Sequence, residues 1–242
     1  NASSRGLGDV YKRQSLGHST KIITDKTLKW LKERDKKMPF LVCAQYKTPQ
    51  IHRLPPPKFM GQYDRVDFPV PHTFFDDFST RSSFVSETWM ALKGMKGHVL
   101  NIAPTESEIE ANPELRPLFL REMTAPQRSA WHQDYDPRNL KMKELEESGK
   151  LNGKNRSLYI YQRFIKDYIR CVDGLDDQVG RLLHYLDKAG LKENTIVIYS
   201  SDQGFFTGEH GWAEKRWMYE ESFKSPLLMR WPGVIKPGTV ID

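Results

Sequence analysis

The sequence predicts an α/β domain built around a mostly parallel sheet, and three segments carry that prediction. The apolar run at 196–199, IVIY, is rich in β-branched residues, as expected of a strand buried on both faces of a sheet. Apolar residues recur every three or four positions between 161 and 186, which predicts a long amphipathic helix before this strand. A second apolar run at 39–46, PFLVCAQY, predicts another short buried strand. Because a helix followed by a strand is half of a βαβ unit, we expect one domain whose two strands share a sheet.

The remaining segments predict helices and loops around this sheet. Residues 20–35 show a helical apolar pattern, so we expect an amphipathic helix before the first strand. Residues 49–81 are rich in proline and aromatic residues, which excludes a regular helix or a central strand, so we expect an ordered loop held by its phenylalanines or a flexible one. Gly190 is predicted to cap the long helix. Residues 82–157 predict a helical insertion between the core strands, broken by Pro113, Pro117, Pro126 and Pro137.

Composition and charge exclude several classes of protein. The 242 residues are 38% hydrophobic and 28% charged, which are ordinary values for a globular domain. No apolar run reaches the roughly 18 residues typical of a membrane-spanning helix, so we predict no membrane span. The net charge of +6 fits an anionic partner or a solvated surface, and the 37 basic residues are scattered among 31 acidic ones without a basic block. We therefore predict no nucleic-acid partner, and the oligomeric state stays open.

The two cysteines, Cys43 and Cys171, each lie within an apolar pattern. We predict two buried thiols rather than a disulfide or a metal-binding pair. Cysteine usage therefore does not define the redox compartment of this chain.

Both ends of the sequence are predicted to be cut. Residues 1–14 resemble a translated sequencing adapter and show no apolar periodicity, so we interpret them as a non-native leader. The last residues, PGTVID, stop after a turn signal, in what is interpreted as the beginning of a new strand. The predicted domain therefore covers residues 15–242 and is interpreted as a fragment of a larger domain.

Polar residues follow the run at 196–199 abruptly, at the strand end where open α/β sheets place their chemistry. Asp202 and Gln203 supply adjacent carboxylate and amide oxygens that suit Ca²⁺ or Mg²⁺, although Asp-Gln-Gly also fits a simple turn. Gly204 would let the chain turn away without a side chain blocking the site. His210 lies between glycines in a predicted exposed loop, where it could donate to an anionic oxygen or bond the backbone. Lys215 could neutralise an anionic oxygen or remain solvated.

Longer segments resemble one enzyme family. Residues 200–234, SSDQGFFTGEHGWAEKRWMYEESFKSPLLMRWPGV, are very similar to the C-terminal part of the catalytic domain of type I, formylglycine-dependent sulfatases of the alkaline phosphatase superfamily. Residues 168–199 match the helix and strand that precede this motif, and residues 39–77 resemble a family segment whose strand ends in a Lys-x-Pro-His-like cluster. The resemblance implies hydrolysis of sulfate esters by an alkaline phosphatase-like three-layer sandwich, of which this chain would form a part.

The resemblance also implies roles for individual residues near the strand ends. Asp202 and Gln203 match two ligands of a single Ca²⁺, and Lys215 matches a lysine that contacts the sulfate and its bridging oxygen. His210 is predicted to bind substrate. Lys47 matches the lysine of the Lys-x-Pro-His cluster, which makes it a further catalytic candidate.

The histidine of that cluster, which in the family touches the sulfate or protonates the leaving group, has two candidate positions here. The sequence has Gln50 where the histidine is expected. Either a two-residue insertion has moved the histidine to His52, or Gln50 has replaced it. We favour His52 as the catalytic candidate.

The nucleophile of the resembled family is not found in the 242 residues. Sulfatases of this type carry a Cys or Ser in a Cys/Ser-x-Pro-x-Arg motif, which matures to formylglycine. Neither cysteine here lies in such a motif, and no Ser-x-Pro-x-Arg occurs. We expect formylglycine, together with the aspartate pair that completes the metal site, in sequence before residue 15, and we predict that this chain alone is inactive.

Two other functions remain open alongside hydrolysis of a sulfated small molecule or glycan. One is a phosphodiesterase or phosphonate hydrolase of the same superfamily, which would often have an Asp-His metal pair in place of Asp202 and Gln203. The other is a non-catalytic remnant or binding module. Relatives commonly act in the periplasm, outside cells or in lysosomes, and the sequence does not decide among these locations.

Overall fold

The computed structural model describes residues 17–95 and 97–241, except for the side chain of His98. The predicted leader at 1–14 lies outside the described residues. The helices are α1 (Ser19–Glu33), α2 (Ser83–Ser86), α3 (Glu106–Ala111), α4 (Leu118–Arg121), α5 (Ala125–Glu147), α6 (Gly153–Lys188) and α7 (Glu220–Phe223). The strands are β1 (Val197–Ser200), β2 (Phe206–Thr207), β3 (Ala213–Glu214) and β4 (Leu227–Arg230). Helices and strands are thus both present, in agreement with the α/β class.

The 36-residue helix α6 organises the core, as its apolar periodicity predicts. Its buried side chains Ile160, Tyr161, Phe164 and Ile165 pack against buried residues from the rest of the chain: Phe74, Leu92, Leu100, Met142, Leu151 and Ala213. Helix α1 packs along α6, in agreement with the helix predicted for 20–35. Gly190 follows α6 with a φ of +68°, the left-handed conformation expected of a glycine cap. Among the helices of the described part, none is apolar over enough residues to cross a membrane.

Two of the four prolines predicted to break helices do not do so. Pro113 and Pro117 lie at or just before the start of short helical segments, as expected. Pro126, by contrast, lies in the first turn of the 23-residue helix α5, where a missing N–H costs no helical hydrogen bond. Pro137 lies inside α5, which continues past it. Because α5 buries side chains such as Trp131 and Tyr135 completely, tertiary packing outweighs the disruption that an internal proline causes.

The strand predicted at 196–199 is present as β1, but its surroundings differ from the prediction. Within residues 17–95 and 97–241, β1 pairs with β4 alone, and the two strands are antiparallel, with Val197 opposite Arg230. Ile198, expected to be buried, is 60% exposed. The second pair, β2 and β3, is also antiparallel, with Phe206 opposite Glu214. The mostly parallel sheet is therefore not formed by the strands of the described residues.

The strand predicted at 39–46 is also absent from this part of the chain. Residues 39–46 form no strand, Leu41 is 88% exposed, and Cys43 is exposed rather than buried. A strand needs a neighbour that accepts its backbone hydrogen bonds, and an apolar run does not by itself provide one. Cys171 is buried in α6 as predicted, and both cysteines are free thiols.

The long proline-rich segment at 49–81 is ordered, as one of the two predicted alternatives requires. Its helical structure is limited to one short turn at Pro57–Phe59. Side chains of α6 hold the segment through its backbone: the Tyr161 hydroxyl donates to the Pro69 carbonyl at 2.8 Å, and the Gln162 amide donates to the Phe68 carbonyl at 2.7 Å. Phe74 is buried, whereas Phe75 is half-exposed. Hydrogen bonds to α6 thus hold this segment in addition to its phenylalanines.

Candidate active site

Strand β1 ends in a turn that presents the two predicted calcium ligands. The Ser201 hydroxyl donates a 2.8 Å hydrogen bond to the Gln203 carbonyl and lies 3.3 Å from the Asp202 carboxylate. Gly204 lies against α7, where a Cβ atom would be 2.1 Å from the carbonyl oxygen of Glu221. This close approach of two backbone segments therefore requires glycine at position 204. The side chain of Asp202, two residues earlier, is exposed.

The donor atoms of Asp202 and Gln203 fit a hard cation. A carboxylate and an amide oxygen are donors that Ca²⁺ prefers, and the ion takes about six to eight oxygens in all. Across residues 17–95 and 97–241, no group of three or more His, Cys, Asp or Glu side chains could hold a metal ion. Asp202 and Gln203 are thus not part of such a group among these residues, and their role as Ca²⁺ ligands stays a prediction.

Lys215 directly follows β3 and is partly buried. Its ammonium nitrogen lies 5.7 Å from the centroid of the Phe205 ring. Burial lowers the pKa of Lys215, while the negative charges of Glu214 and Asp202 oppose that shift. The structure thus brings Lys215 within electrostatic range of Asp202, although the two residues lie on different loops.

Arg53 and Glu214 form a buried ion pair that the sequence did not reveal. The Arg53 Nη2 atom donates to the Glu214 carboxylate at 2.9 Å, and both side chains are almost fully shielded from solvent. The Arg53 guanidinium also stacks over the rings of Phe164 and Phe205, at 4.9 and 5.2 Å from their centroids. In the sequence, Arg53 follows the candidate His52 and Glu214 precedes the candidate Lys215, and no other signal pointed to this pair. Arg53 and Glu214 are 161 positions apart.

Lys47 and His52 lie in the segment that leads to Arg53. Lys47 is exposed, and its carbonyl accepts a 3.0 Å hydrogen bond from the Gln50 backbone N–H in a tight turn. The His52 ring stacks on Phe119 of α4, with ring centroids 5.0 Å apart. The Gln50 side-chain oxygen is buried and has no hydrogen-bond partner among the described residues. These contacts do not show whether His52 or Gln50 occupies the position of the cluster's histidine, so the preference for His52 stays a prediction.

His210 lies in the loop between β2 and β3, but its side chain is only 9% exposed, in contrast to the exposed loop that was predicted. Its Nδ1 atom lies 2.6 Å from the Asp76 carboxylate, and its backbone N–H donates to the Thr73 hydroxyl at 3.2 Å. The ring packs against Tyr219 and Trp212, with centroids 5.0 and 5.4 Å away. Its partner is therefore an anionic oxygen, as one of the two predicted alternatives requires, and it belongs to a carboxylate of this chain.

Asp76 is held by three donors. Besides His210, the Arg81 guanidinium donates to its carboxylate, and so does the Phe78 backbone N–H at 3.0 Å. Burial alone would raise the pKa of Asp76, but the hydrogen bonds from Arg81, Phe78 and His210 outweigh it and lower the pKa to about 2. Asp76 is therefore a carboxylate at neutral pH, and it orients the His210 ring.

The surroundings of two candidates, Lys215 and His210, form two groups at the neighbouring residues Phe205 and Phe206. We name the first the Phe205 face, and its members are Arg53, Phe164, Phe205, Glu214 and Lys215. We name the second the Phe206 face, and its members are Asp76, Phe78, Arg81, Phe206, His210, Trp212 and Tyr219. The first face gathers charged groups around two aromatic rings, whereas the second gathers aromatic rings around one histidine.

Comparisons with known proteins match this chain to sulfatases over nearly its whole length. The family model described as Sulfatase matches residues 3–242. The N-acetylglucosamine-6-O-sulfatase of Bacteroides thetaiotaomicron is 35% identical over 225 residues, which are 92% of this chain and 40% of that protein. The human iduronate 2-sulfatase is 40% identical over 74 residues, which are 30% of this chain and 14% of that protein.

A solved structure is also similar to this chain. It is a complex of a protein with its substrate D-glucosamine-2-N,6-O-disulfate, and it superposes with a TM-score of 0.84 at 36% sequence identity. The match covers 93% of this chain and 45% of that protein. The chain thus spans less than half the length of this protein and of the bacterial relative.

Proposed function

Because this chain belongs to the sulfatase family, we propose that it is part of an enzyme that hydrolyses sulfate esters of amino sugars. The observation that carries the proposal is that Asp202, after β1, acts electrostatically on Lys215, after β3, in a chain that is similar to an N-acetylglucosamine-6-O-sulfatase over 92% of its length. The net charge of +6 suits a sulfated, anionic substrate. The substrate class is sulfated glucosamine, either free or within a glycan.

Lys215 is assigned to the sulfate. Its ammonium group can donate hydrogen bonds to a sulfate oxygen and to the bridging oxygen, where negative charge grows as the S–O bond breaks. The lowered pKa of Lys215 also brings the group closer to the pH range in which it can release a proton to the departing alkoxide. His52 is the second candidate donor for this proton, and Lys47 is assigned a supporting positive charge.

Asp202 and Gln203 are assigned to Ca²⁺, together with ligands from outside the described residues. When bound, Ca²⁺ supplies positive charge beside the sulfate oxygens, and formylglycine supplies the nucleophilic hydroxyl. The 242 residues contain no Cys/Ser-x-Pro-x-Arg motif, so the proposal places formylglycine elsewhere in a longer protein.

His210 is assigned to substrate binding. Because its Nδ1 atom faces the Asp76 carboxylate, Nδ1 carries a proton, and in the neutral ring Nε2 is left as a hydrogen-bond acceptor. An acceptor held in a fixed orientation suits a sugar hydroxyl. This assignment gives the Phe206 face a role in recognition, whereas the Phe205 face acts on the sulfate.

The test uses the full-length protein that contains this chain. We expect sulfate release from N-acetylglucosamine 6-sulfate, loss of that activity on calcium chelation, and its recovery when Ca²⁺ is added back. Asp202→Ala should require far more Ca²⁺ for the same rate. Hydrolysis of phosphodiesters or phosphonates without sulfate release would contradict the proposal in favour of a phosphohydrolase. Binding of the sulfated sugar without turnover would instead indicate a binding module.

A further inference from the structure

The buried ion pair between Arg53 and Glu214 connects two catalytic candidates through the backbone. Arg53 is the residue after His52, and Glu214 is the residue before Lys215. The N–O distance is 2.9 Å, and the two side chains are 0% and 1% exposed. Water therefore neither screens nor replaces this contact, and the pair joins the loop of His52 to the loop of Lys215.

The surroundings of Arg53 hold its guanidinium in one orientation. Its backbone carbonyl accepts a 2.7 Å hydrogen bond from the Asn101 amide. Its guanidinium lies over the rings of Phe164 and Phe205 while Nη2 donates to Glu214. With aromatic rings and a carboxylate as neighbours, the planar group has little freedom to rotate.

The backbone of Glu214 is strained in a way that needs such a partner. Its φ is +88°, a conformation that residues other than glycine rarely adopt and that persists only where surrounding contacts enforce it. Glu214 lies opposite Phe206 in the β2–β3 pair, and the preceding residue, Ala213, donates its N–H to the Met90 carbonyl at 3.0 Å. The direction in which the chain leaves β3, and hence the position of Lys215, depends on this conformation.

We propose that the Arg53–Glu214 pair is a positioning device that holds the Lys215 ammonium at the sulfate and sets its spacing from His52. The proposal rests on the proposed function. Arg53 and Lys215 place two positive charges over the same Phe205 ring, and the Glu214 carboxylate pairs with Arg53 and also acts electrostatically on Lys215. Without that carboxylate, Arg53 is an unpaired buried cation that repels Lys215, and the lysine side chain moves into solvent. Arg53 and Glu214 thus act through Lys215 and do not touch the substrate.

The first test is Glu214→Gln in the full-length protein, with Asp134→Asn as the matched control. Asp134 also pairs with an arginine, Arg138, at 2.7 Å, but the pair lies on α5 and away from the Phe205 face. Because a displacement of about 1 Å at a reacting group costs roughly 100-fold, we expect kcat for sulfate release to fall about 100-fold in Glu214→Gln. Asp134→Asn should leave kcat within about threefold of wild type.

The second measurement follows Lys215 without using activity. Reductive methylation with ¹³C-formaldehyde labels lysine amines, and the Lys215 signal is identified by its loss in Lys215→Arg. The Phe205 ring current should shift this signal away from those of solvated lysines, because the ammonium lies 5.7 Å from the ring centroid. In Glu214→Gln the signal should move to the position of solvated lysines, whereas in Asp134→Asn it should not move.

A double variant separates positioning from stability. Replacing a buried ion pair by apolar residues of similar size is often neutral for folding, so Arg53→Met combined with Glu214→Met should fold. The double variant should still lose about 100-fold in kcat and show Lys215 as a solvated lysine. Near-wild-type sulfate release by the double variant, or an unmoved Lys215 signal in Glu214→Gln, would overturn the proposal. If the wild-type protein releases no sulfate, the proposed function is wrong. The NMR signal of Lys215 in Glu214→Gln then still tests whether the Arg53–Glu214 pair positions Lys215.

Discussion

The Phe205 and Phe206 faces are built from neighbouring residues, yet they use opposite physical means. On the Phe205 face, a buried guanidinium and an ammonium group share one ring, and a carboxylate pairs with the guanidinium. On the Phe206 face, aromatic rings enclose a histidine whose carboxylate partner is itself held by Arg81. The first arrangement depends on charge balance in a poorly solvated site, and the second depends on packing. The two faces should therefore respond differently to mutation.

The largest difference should appear between Phe206→Ala and Phe205→Ala. Phe206 is fully buried among aromatic rings, so its removal should cost about 3–5 kcal/mol of unfolding free energy. Phe205 is only partly buried, so its removal should cost less stability but lower kcat by more than about tenfold, because Lys215 and Arg53 lose their shared ring. Urea unfolding and sulfate release of the two variants measure both quantities. Equal effects of both variants on both quantities would show that the faces are not distinct.

Lys215→Ala tests the chemistry assigned to the Phe205 face. Loss of one group that stabilises developing negative charge typically costs about 10²–10³-fold in kcat, and we expect a loss of this size with little change in unfolding free energy. The matched control is Lys224→Ala, which removes an exposed lysine from the same region. Steady-state kinetics on a 6-O-sulfated amino sugar would show the contrast, and comparable rates for both variants would refute the role of Lys215.

Two glycines of α6 test how the Phe205 face depends on the long helix. A Cβ at Gly174 would lie 2.5 Å from Pro56, in the loop that carries Arg53, so Gly174→Ala should cost about 1–3 kcal/mol. Gly180 has nothing within 4 Å of its Cβ position, so Gly180→Ala should instead stabilise the protein by about 0.5–1 kcal/mol. Thermal unfolding of the two variants gives the sign of each effect. Gly174→Ala should also lower kcat, since the loop shifts, whereas Gly180→Ala should not.

Asp76→Asn should have the smallest effect, since it loosens the Phe206 face without removing any group that touches the sulfate. We expect KM for the sulfated sugar to rise roughly tenfold with little change in kcat, because an amide orients His210 less strongly than a carboxylate does. The folded-state pKa of about 2 lies below the usual 3.8, so the carboxylate stabilises the fold above about pH 4, and this stabilisation is lost as the pH falls towards 2.

The difference in Tm between wild type and Asp76→Asn should therefore be largest above pH 4 and should shrink as the pH approaches 2. Asp77→Asn is the matched control, since Asp77 is the next residue and bonds its own loop at Ser79 rather than His210. A Tm difference for Asp76→Asn that does not change between pH 7 and pH 2 would contradict the assigned ion pairs.

Local patterns in the sequence predicted α1 and α6 and indicated the candidate residues. The periodicity between 161 and 186 predicted α6, and Gly190 predicted its end, because both depend on contacts within a few residues. The resemblance to a family motif indicated Asp202, Gln203 and Lys215, because all three lie within one short segment of the sequence. The proline rule failed at Pro137 because packing of α5 against distant residues outweighed a local penalty.

Only the tertiary structure determined which charged side chains form ion pairs. Arg53 and Glu214 are 161 positions apart, and His210 and Asp76 are 134 apart, so no local pattern could pair them. It also decided that β1 pairs antiparallel with β4 and that residues 39–46 remain without a strand partner in the described chain. Strand pairing and buried ion pairs both depend on groups brought together by the whole fold, whereas helix periodicity depends on neighbours along the chain. That difference in range is why the sequence identified the candidate residues but not the contacts that hold them in place.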